Sequence, residues 1–444
     1  MQNKLSKSRI FLNYAITYLL IGFSDISFFD YNRKARMVFF LILAFLFFYY
    51  RKKIGKDLLI MIAIAIYLIL FQSLFFGGGK LFTTITLISL LVLMPYFAVK
   101  VVGPQFLKYY RDVMVAIALI SIGFWVAVNV SSGLHHSIQS WAISLGSFYN
   151  PEFGIYNDNI IVYTYEEMEH YGFLRNPGPF HEPGAFSVFL MLGIISEIFI
   201  TGKLITRFNI LFFINLVTTF STAGFLGLFV IVGFYVYTTK RMTLLTKVFV
   251  SVSMVAVIVY LFMTLEFLGE KISSQMEEQT ESRLTEATSG RFLGARKALV
   301  VIYRYPLFGR GLIAASKADA TSEEAAGYGW ITWVSQLGII FGLIYMFYLY
   351  KSLRNYSVIN VRSKLFALFA FGAMLAVLSG QKHTSSLVFF VLFLMPIVFP
   401  YHSYWQDYLL QLRKKPPRRK KVRTMEFGER AALSRSGIRA GITK

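Results

Sequence analysis

Twelve apolar stretches punctuate this sequence, at about 10–28, 37–50, 57–76, 81–101, 112–130, 183–201, 204–220, 222–239, 244–267, 328–350, 364–380 and 384–400. An α-helix needs about 17–25 predominantly apolar residues to cross a hydrocarbon core of about 30 Å, so each stretch is a candidate span, the second being short. Composition agrees: the chain is 56% hydrophobic and 15% charged, where a soluble domain carries about 45–50% apolar and about 25% charged residues. The expected fold is an all-α polytopic membrane protein, with about 12 transmembrane helices over residues 1–400 and a basic tail at 401–444.

Forty-five Lys and Arg against 23 Asp and Glu give a net charge of +22. In a soluble protein that balance would suggest nucleic acid. In a membrane protein it bears on orientation, because Lys and Arg in short loops mark the cytoplasmic side. With the N-terminus inside, the cytoplasmic segments hold 31 of the 45 and the opposite set holds 14, eight of them in one long loop. Both termini are therefore expected in the cytoplasm. The first stretch follows only Lys4, Lys7 and Arg9 and lacks a small-residue cleavage site, so it reads as a retained helix. The tail, with Lys414-Lys415-Pro416-Pro417-Arg418-Arg419-Lys420-Lys421, reads as a disordered polybasic segment on the anionic inner leaflet in preference to an RNA-binding arm. Cysteine is absent, which excludes disulfides, a thiol nucleophile, iron–sulfur clusters and cysteine-ligated zinc. No internal repeat is visible.

Two connections break the pattern of short loops, at about 131–182 and 268–327, and in this topology both lie outside. Structureless loops beyond about 12–15 residues are uncommon unless they are functional or disordered; the aromatics, Gly-Pro turns and helical stretches of these two argue for order. The first ends in Arg175-Asn176-Pro177-Gly178-Pro179-Phe180-His181-Glu182-Pro183-Gly184-Ala185-Phe186 and runs into an apolar helix. Pro183 suits the first helical turn, which puts Glu182 at the N-cap. The helix dipole alone would favour a carboxylate there. An Arg, a His and a Glu gathered at a helix mouth on the membrane surface are costly for packing alone, which favours function.

The second large loop contains Thr288-Ser289-Gly290-Arg291, with Ser289 as a candidate N-cap and Phe292, Ala295, Leu299 and Ile302 at helical spacing. A helix lying in the membrane interface with a basic face is expected, with Arg296, Lys297 and Arg304 anchoring lipid phosphate or facing water. A turn, Tyr305-Pro306-Leu307-Phe308-Gly309-Arg310-Gly311, leads into the next span. Between the large loops, Phe220-Ser221-Thr222-Ala223-Gly224-Phe225-Leu226-Gly227 reads as a site of tight helix packing. His383 reads as a solvated loop residue and His135-His136 has no partner at metal-ligand spacing. Gly77-Gly78-Gly79-Lys80 lacks the spacing of a phosphate loop. No Asp-x-Asp occurs, and only Asp25 and Asp30 offer carboxylates on the first outer connection, so a divalent cation is poorly supported there. Few charges are expected inside the spans, which argues for surface chemistry over translocation.

The arrangement of twelve spans with two large outer loops resembles the O-antigen polymerase and O-antigen ligase group of bacterial polysaccharide enzymes. Arg175 to Phe186 resembles that group's pattern of an Arg, a Gly, an aromatic and a Glu-Pro leading into a helix. Ser221 to Gly227 resembles its Ser/Thr-rich turn, and Ser289-Gly290-Arg291 with Pro306 to Gly311 resembles its second-loop signature. The resemblance implies a GT-C-like, inverting, metal-independent membrane glycosyltransferase of the bacterial inner membrane, needing no cofactor. Its implied partners are undecaprenyl-diphosphate-linked oligosaccharides, the lipid bilayer, a chain-length regulator and a flippase. Ligases of the group carry a His late in the second loop. Ala325-Ala326-Gly327-Tyr328-Gly329-Trp330 has none, which favours a polymerase of O-antigen, capsule or exopolysaccharide repeats.

Loss of a lipid diphosphate builds charge on the bridging oxygen, and planar guanidinium groups bind phosphate oxygens through paired hydrogen bonds. Arg175, Arg291 and Arg310 are the candidates for that role. Glu182 is the candidate general base, with His181 competing. A ligase acting on lipid A core, a lipid-glycan flippase and a structural scaffold are the alternative readings.

Overall fold

The computed structural model describes residues 7–30, 32–76, 81–145, 147–150, 155–165, 169–170, 173–238, 243–249, 252–253, 256, 291–311, 329–360 and 364–400. They lie in one compact unit, Met1–Tyr401. The Gly77–Lys80 run, most of the 244–267 stretch, much of the second large loop and the basic tail fall outside the described residues.

Helices coincide with the other apolar stretches, and further helices lie within the two large loops. They are α1 (Lys7–Asp25), α2 (Ser27–Asp30), α3 (Arg33–Tyr49), α4 (Lys56–Phe76), α5 (Leu81–Ile88), α6 (Met94–Val102), α7 (Phe106–Val130), α8 (Ser132–Leu145), α9 (Pro183–Thr201), α10 (Arg207–Thr218) and α11 (Thr222–Thr238). After the second loop come α12 (Arg291–Arg304), α13 (Trp330–Asn360), α14 (Lys364–Leu378) and α15 (Leu387–Val398). Among the described residues five helices are long and apolar enough to cross a membrane: 56–76, 84–102, 106–130, 183–201 and 330–357. The α5–α6 span continues through a π-helical turn, Ser89–Leu93.

The expectation of helices alone needs one correction, in the first large loop. There β1 (Ser147–Asn150), β2 (Ile155–Asn159) and β3 (Thr164–Tyr165) form an antiparallel sheet, and β4 (Glu169–His170) pairs with β5 (Phe173–Leu174). Polar clamps tie this subdomain down. Asn129 of α7 accepts from the Leu174 amide at 2.7 Å, and the Trp125 indole donates to the Leu174 carbonyl at 2.7 Å. Asn159 donates to the Pro179 carbonyl at 2.9 Å, and the Thr164 amide to the Gly178 carbonyl at 2.6 Å. The described part of the loop is thus tied to the Pro177–Pro179 turn.

At the centre stands α9, buried from Pro183 to Phe199 and in contact with α7, α10, α11, α13 and α14. Pro183 begins it without an amide to satisfy, and Gly202 ends it in the left-handed conformation at φ 72°. The small residues of α11 have the packing role their pattern suggested. A side chain at Gly227 would meet Val377, Met191 and the Ala373 carbonyl at 2.9–3.1 Å, so α11 sits close on α9 and α14.

Two sequence expectations fail. Arg111, left just outside the expected 112–130 span, lies within α7, buried, and pairs with Glu197 of α9 and with Asp112. Charges do therefore occur inside the helices. The face of α12 is also displaced by one residue. Gly294, Ala298 and Val301 are buried, while Leu299 is 56% exposed. Lipid tails accept Leu as readily as a protein interior does, so small residues mark the face that touches another helix.

Candidate functional site

Three segments distant in sequence meet where α1 ends. Ile26, just beyond the helix, forms an isolated antiparallel bridge with Phe180. The bridge brings the flanking Asp25 beside His181, whose Nδ1 lies 2.6 Å from Asp25 Oδ1. The third segment is the 3-10 turn Lys382–Ser385 before α15. The Val388 amide donates to Ser24 Oγ at 3.2 Å, and the Tyr345 hydroxyl of α13 donates to the Thr384 carbonyl at 2.6 Å. These bonds set His383 Nδ1 3.6 Å from the same Asp25 oxygen.

His383 is therefore not the solvated loop residue its sequence context suggested. It is 5% exposed and Asp25 6%, whereas His181 is half-buried. Burial pushes the His383 imidazole below its ordinary value; Asp25 and Glu182 pull it up, and His181 pushes it further down. Asp25, His181 and His383 each offer one ligand-type atom, and these atoms lie within 4.8 Å of one another. Among the described residues, Asp25 Oδ2, His383 Nε2 and Gln381 Nε2 are buried without a hydrogen-bond partner.

Glu182 stands next to this cluster as the N-cap of α9, in extended backbone, and its carboxylate makes no capping hydrogen bond. A residue placed there only to cap would accept an amide of the first turn. Arg175 is buried, and its Nε donates to the Thr219 carbonyl at 3.0 Å. The Asn176 amide donates to the Thr218 carbonyl at 3.0 Å and its side chain to Thr218 Oγ1 at 2.9 Å, while the Ser187 and Ser221 hydroxyls lie 3.1 Å apart. The first-loop motif and the Ser/Thr-rich turn are thus one structure. Gly178 makes the fold-back possible: at φ 56° it faces the Phe186 ring, where an added Cβ would stand 3.0–3.1 Å away.

The second-loop residues are placed less completely. Arg291 opens α12, with its side chain outside the described residues. Arg310 sits in the predicted turn, which docks into a break in α13 at Gly338, φ 81°. The Arg310 amide donates to the Ser335 carbonyl at 3.1 Å, the Gly311 amide to Gln336 at 3.1 Å, and the Ile339 amide to Pro306 at 2.8 Å. The backbone groups freed by the break are taken up by the turn. Of the candidates, Arg175, His181 and Glu182 are anchored around the N-terminus of α9, and Arg310 is anchored on α13. His135, in contrast, is hydrogen-bonded to Tyr165 in the first-loop subdomain.

The Ser/Thr turn, Arg291 and Arg310 all fall in one stretch that can be compared with known families. Residues 208–345 match the family model described as O-antigen ligase. This match covers α10, α11, α12 and the first half of α13, and it is consistent with the O-antigen polymerase and ligase resemblance. The family comprises membrane enzymes of O-antigen ligase and polymerase type. No curated protein and no solved structure matches the chain. Asp25, His181 and His383 lie outside the matched O-antigen ligase region and carry no spacing signal; the Ile26–Phe180 bridge and the Ser24 contact help bring them together.

Proposed function

We propose that the chain is an inverting glycosyltransferase that polymerises undecaprenyl-diphosphate-linked oligosaccharide repeats at the outer face of the bacterial cytoplasmic membrane. The supporting observation is that Arg175 is buried and bonded to Thr219, which couples the Glu182-bearing first loop to the family-matched region. The excess of Lys and Arg on the opposite connections supports placing this end of the bundle outside.

Glu182 accepts the proton of the acceptor hydroxyl as that oxygen attacks the anomeric carbon. The bond from that carbon to the diphosphate oxygen breaks on the opposite face, inverting the centre, and the departing lipid diphosphate keeps the electron pair. Arg175, with Arg291 and Arg310, takes up the developing charge in place of a divalent cation. Polyprenyl tails stay in the bilayer while the sugars meet above it.

The second reading, a ligase that transfers finished glycan to lipid A core, is favoured by the description of the matched family. The missing histidine at 325–330 favours polymerisation. Purified protein given a defined lipid-diphosphate repeat unit, without added magnesium or manganese, should build a ladder of products. A single transfer to lipid A core with no ladder supports the ligase, and neither product defeats the glycan-transfer reading.

A further inference from the structure

The Asp25 cluster leaves buried polar atoms unmatched among the described residues. A carboxylate 6% exposed is costly to bury unless its charge is compensated. One oxygen meets His181, while the other is buried without a partner among the described residues. His383 stands too far from Asp25 for a good hydrogen bond at 3.6 Å, and its Nε2 also lacks a partner among the described residues. Three lone-pair donors from three chain segments therefore face one small volume.

We propose that Asp25, His181 and His383 form a binding site for a divalent transition-metal ion of the zinc class. Two imidazoles and one carboxylate are a donor set suited to zinc, cobalt or nickel and poorly suited to magnesium or calcium, which prefer all-oxygen shells. The dimensions fit. Metal–ligand bonds of about 2.0–2.1 Å allow two donors on one ion to stand up to about 4.1 Å apart. The 3.6 Å between His383 Nδ1 and Asp25 Oδ1 falls inside that limit, and the 2.6 Å His181–Asp25 contact, a hydrogen bond without an ion, would widen as an ion displaces its proton. All three ligand-type atoms lie within 4.8 Å of one another.

The surrounding structure holds the donors in advance. Asp25 is fixed by the Ile26–Phe180 bridge, and His383 by the Ser24 and Tyr345 hydrogen bonds to its neighbours. Ring contacts with His181 at 5.9 Å and with Phe189 at 5.6 Å restrict the His383 imidazole further. A bound ion would clasp the end of α1, the approach to α9 and the turn before α15. The ion is given no part in the glycan transfer, whose proposed base, Glu182, lies beside the site, and the test reads binding and not turnover.

The test uses full-length protein purified without a polyhistidine tag, stripped with chelator and titrated with zinc or cobalt. Expected are one equivalent bound per chain, cobalt absorption bands of an imidazole–carboxylate site, and a rise in melting temperature of at least about 2 °C with zinc. Asp25→Asn and His383→Gln should each weaken binding at least about tenfold, whereas His135→Gln with His136→Gln should not. In the wild-type chain, zinc should also protect His181 from carbethoxylation, read by peptide mass spectrometry. That readout does not depend on a variant folding. Absence of saturable binding, equal binding in Asp25→Asn and His383→Gln, or unprotected His181 would overturn the site.

Discussion

Two groups of buried charge lie at opposite ends of the same helices. Along α1, Tyr14 and Asp25 are separated by about 16 Å of helical rise, and along α9, Glu197 lies about 22 Å from Glu182. At the first end Arg111 bonds Glu197 and Asp112, the Tyr14 hydroxyl donates to Asp112 at 2.7 Å, and the Phe208 ring lies 5.0 Å from the guanidinium. No polar atom of these four ionisable side chains is left buried without a partner. At the second end Asp25 and His383 keep orphaned atoms beside Glu182, whose carboxylate leaves its capping position unused. The difference separates a closed network, which holds helices together, from an open one suited to taking a ligand.

The comparison can be broken most sharply at the closed end. Glu197→Ala removes one of the two carboxylates that neutralise Arg111, leaving Asp112, and should destabilise the protein by about 1.5–3 kcal/mol. Thermal unfolding in detergent, which should move little for Glu182→Gln, checks this; equal melting temperatures would erase the contrast. At the open end Arg175→Ala and Glu182→Gln should abolish chain growth, a loss of at least about 100-fold in rate, while expressed protein is retained. Near-normal polymer length in both mutants would remove them from the chemistry. Arg175→Lys, which keeps the charge and loses the planar fork, should fail as well.

Between the ends, Gly227→Val should cost about 1–3 kcal/mol by overpacking α11 against α9 and α14. Its effect should appear in melting temperature and leave product length per folded enzyme unchanged. The smallest effect is expected from Ser24→Ala, which removes the hydroxyl accepting the Val388 amide and should cost about 0.5–1.5 kcal/mol. If the bond positions His383, this variant should also bind zinc more weakly than its small stability loss implies; unaltered affinity would make Ser24 a purely structural contact.

Much of the fold was legible because span length is set by the bilayer, and apolar runs of that length have few alternatives to a helix. The Arg175–Glu182 motif was legible for a related reason: Pro183 and the Gly-Pro turn announce a helix start locally. The buried face of α12 was misread because Leu299 is compatible with lipid, so hydropathy did not distinguish a neighbouring helix from the bilayer. The first-loop sheet escaped notice because its strands are two to five residues long. The expected span at 112–130 left Arg111 outside, whereas α7 begins five residues before it.

What the sequence determined by itself, then, was where the apolar helices of the described residues form and the short motif at the mouth of α9. Those properties are local: each follows from a run of adjacent residues and its solvent. Which charges neutralise one another was decided only in three dimensions. Arg111 and Glu197 are 86 positions apart, and Asp25 meets His181 and His383 with the help of the Ile26–Phe180 bridge and the Ser24 contact. Electrostatic compensation depends on distances of a few ångströms, and no spacing along the chain encodes them.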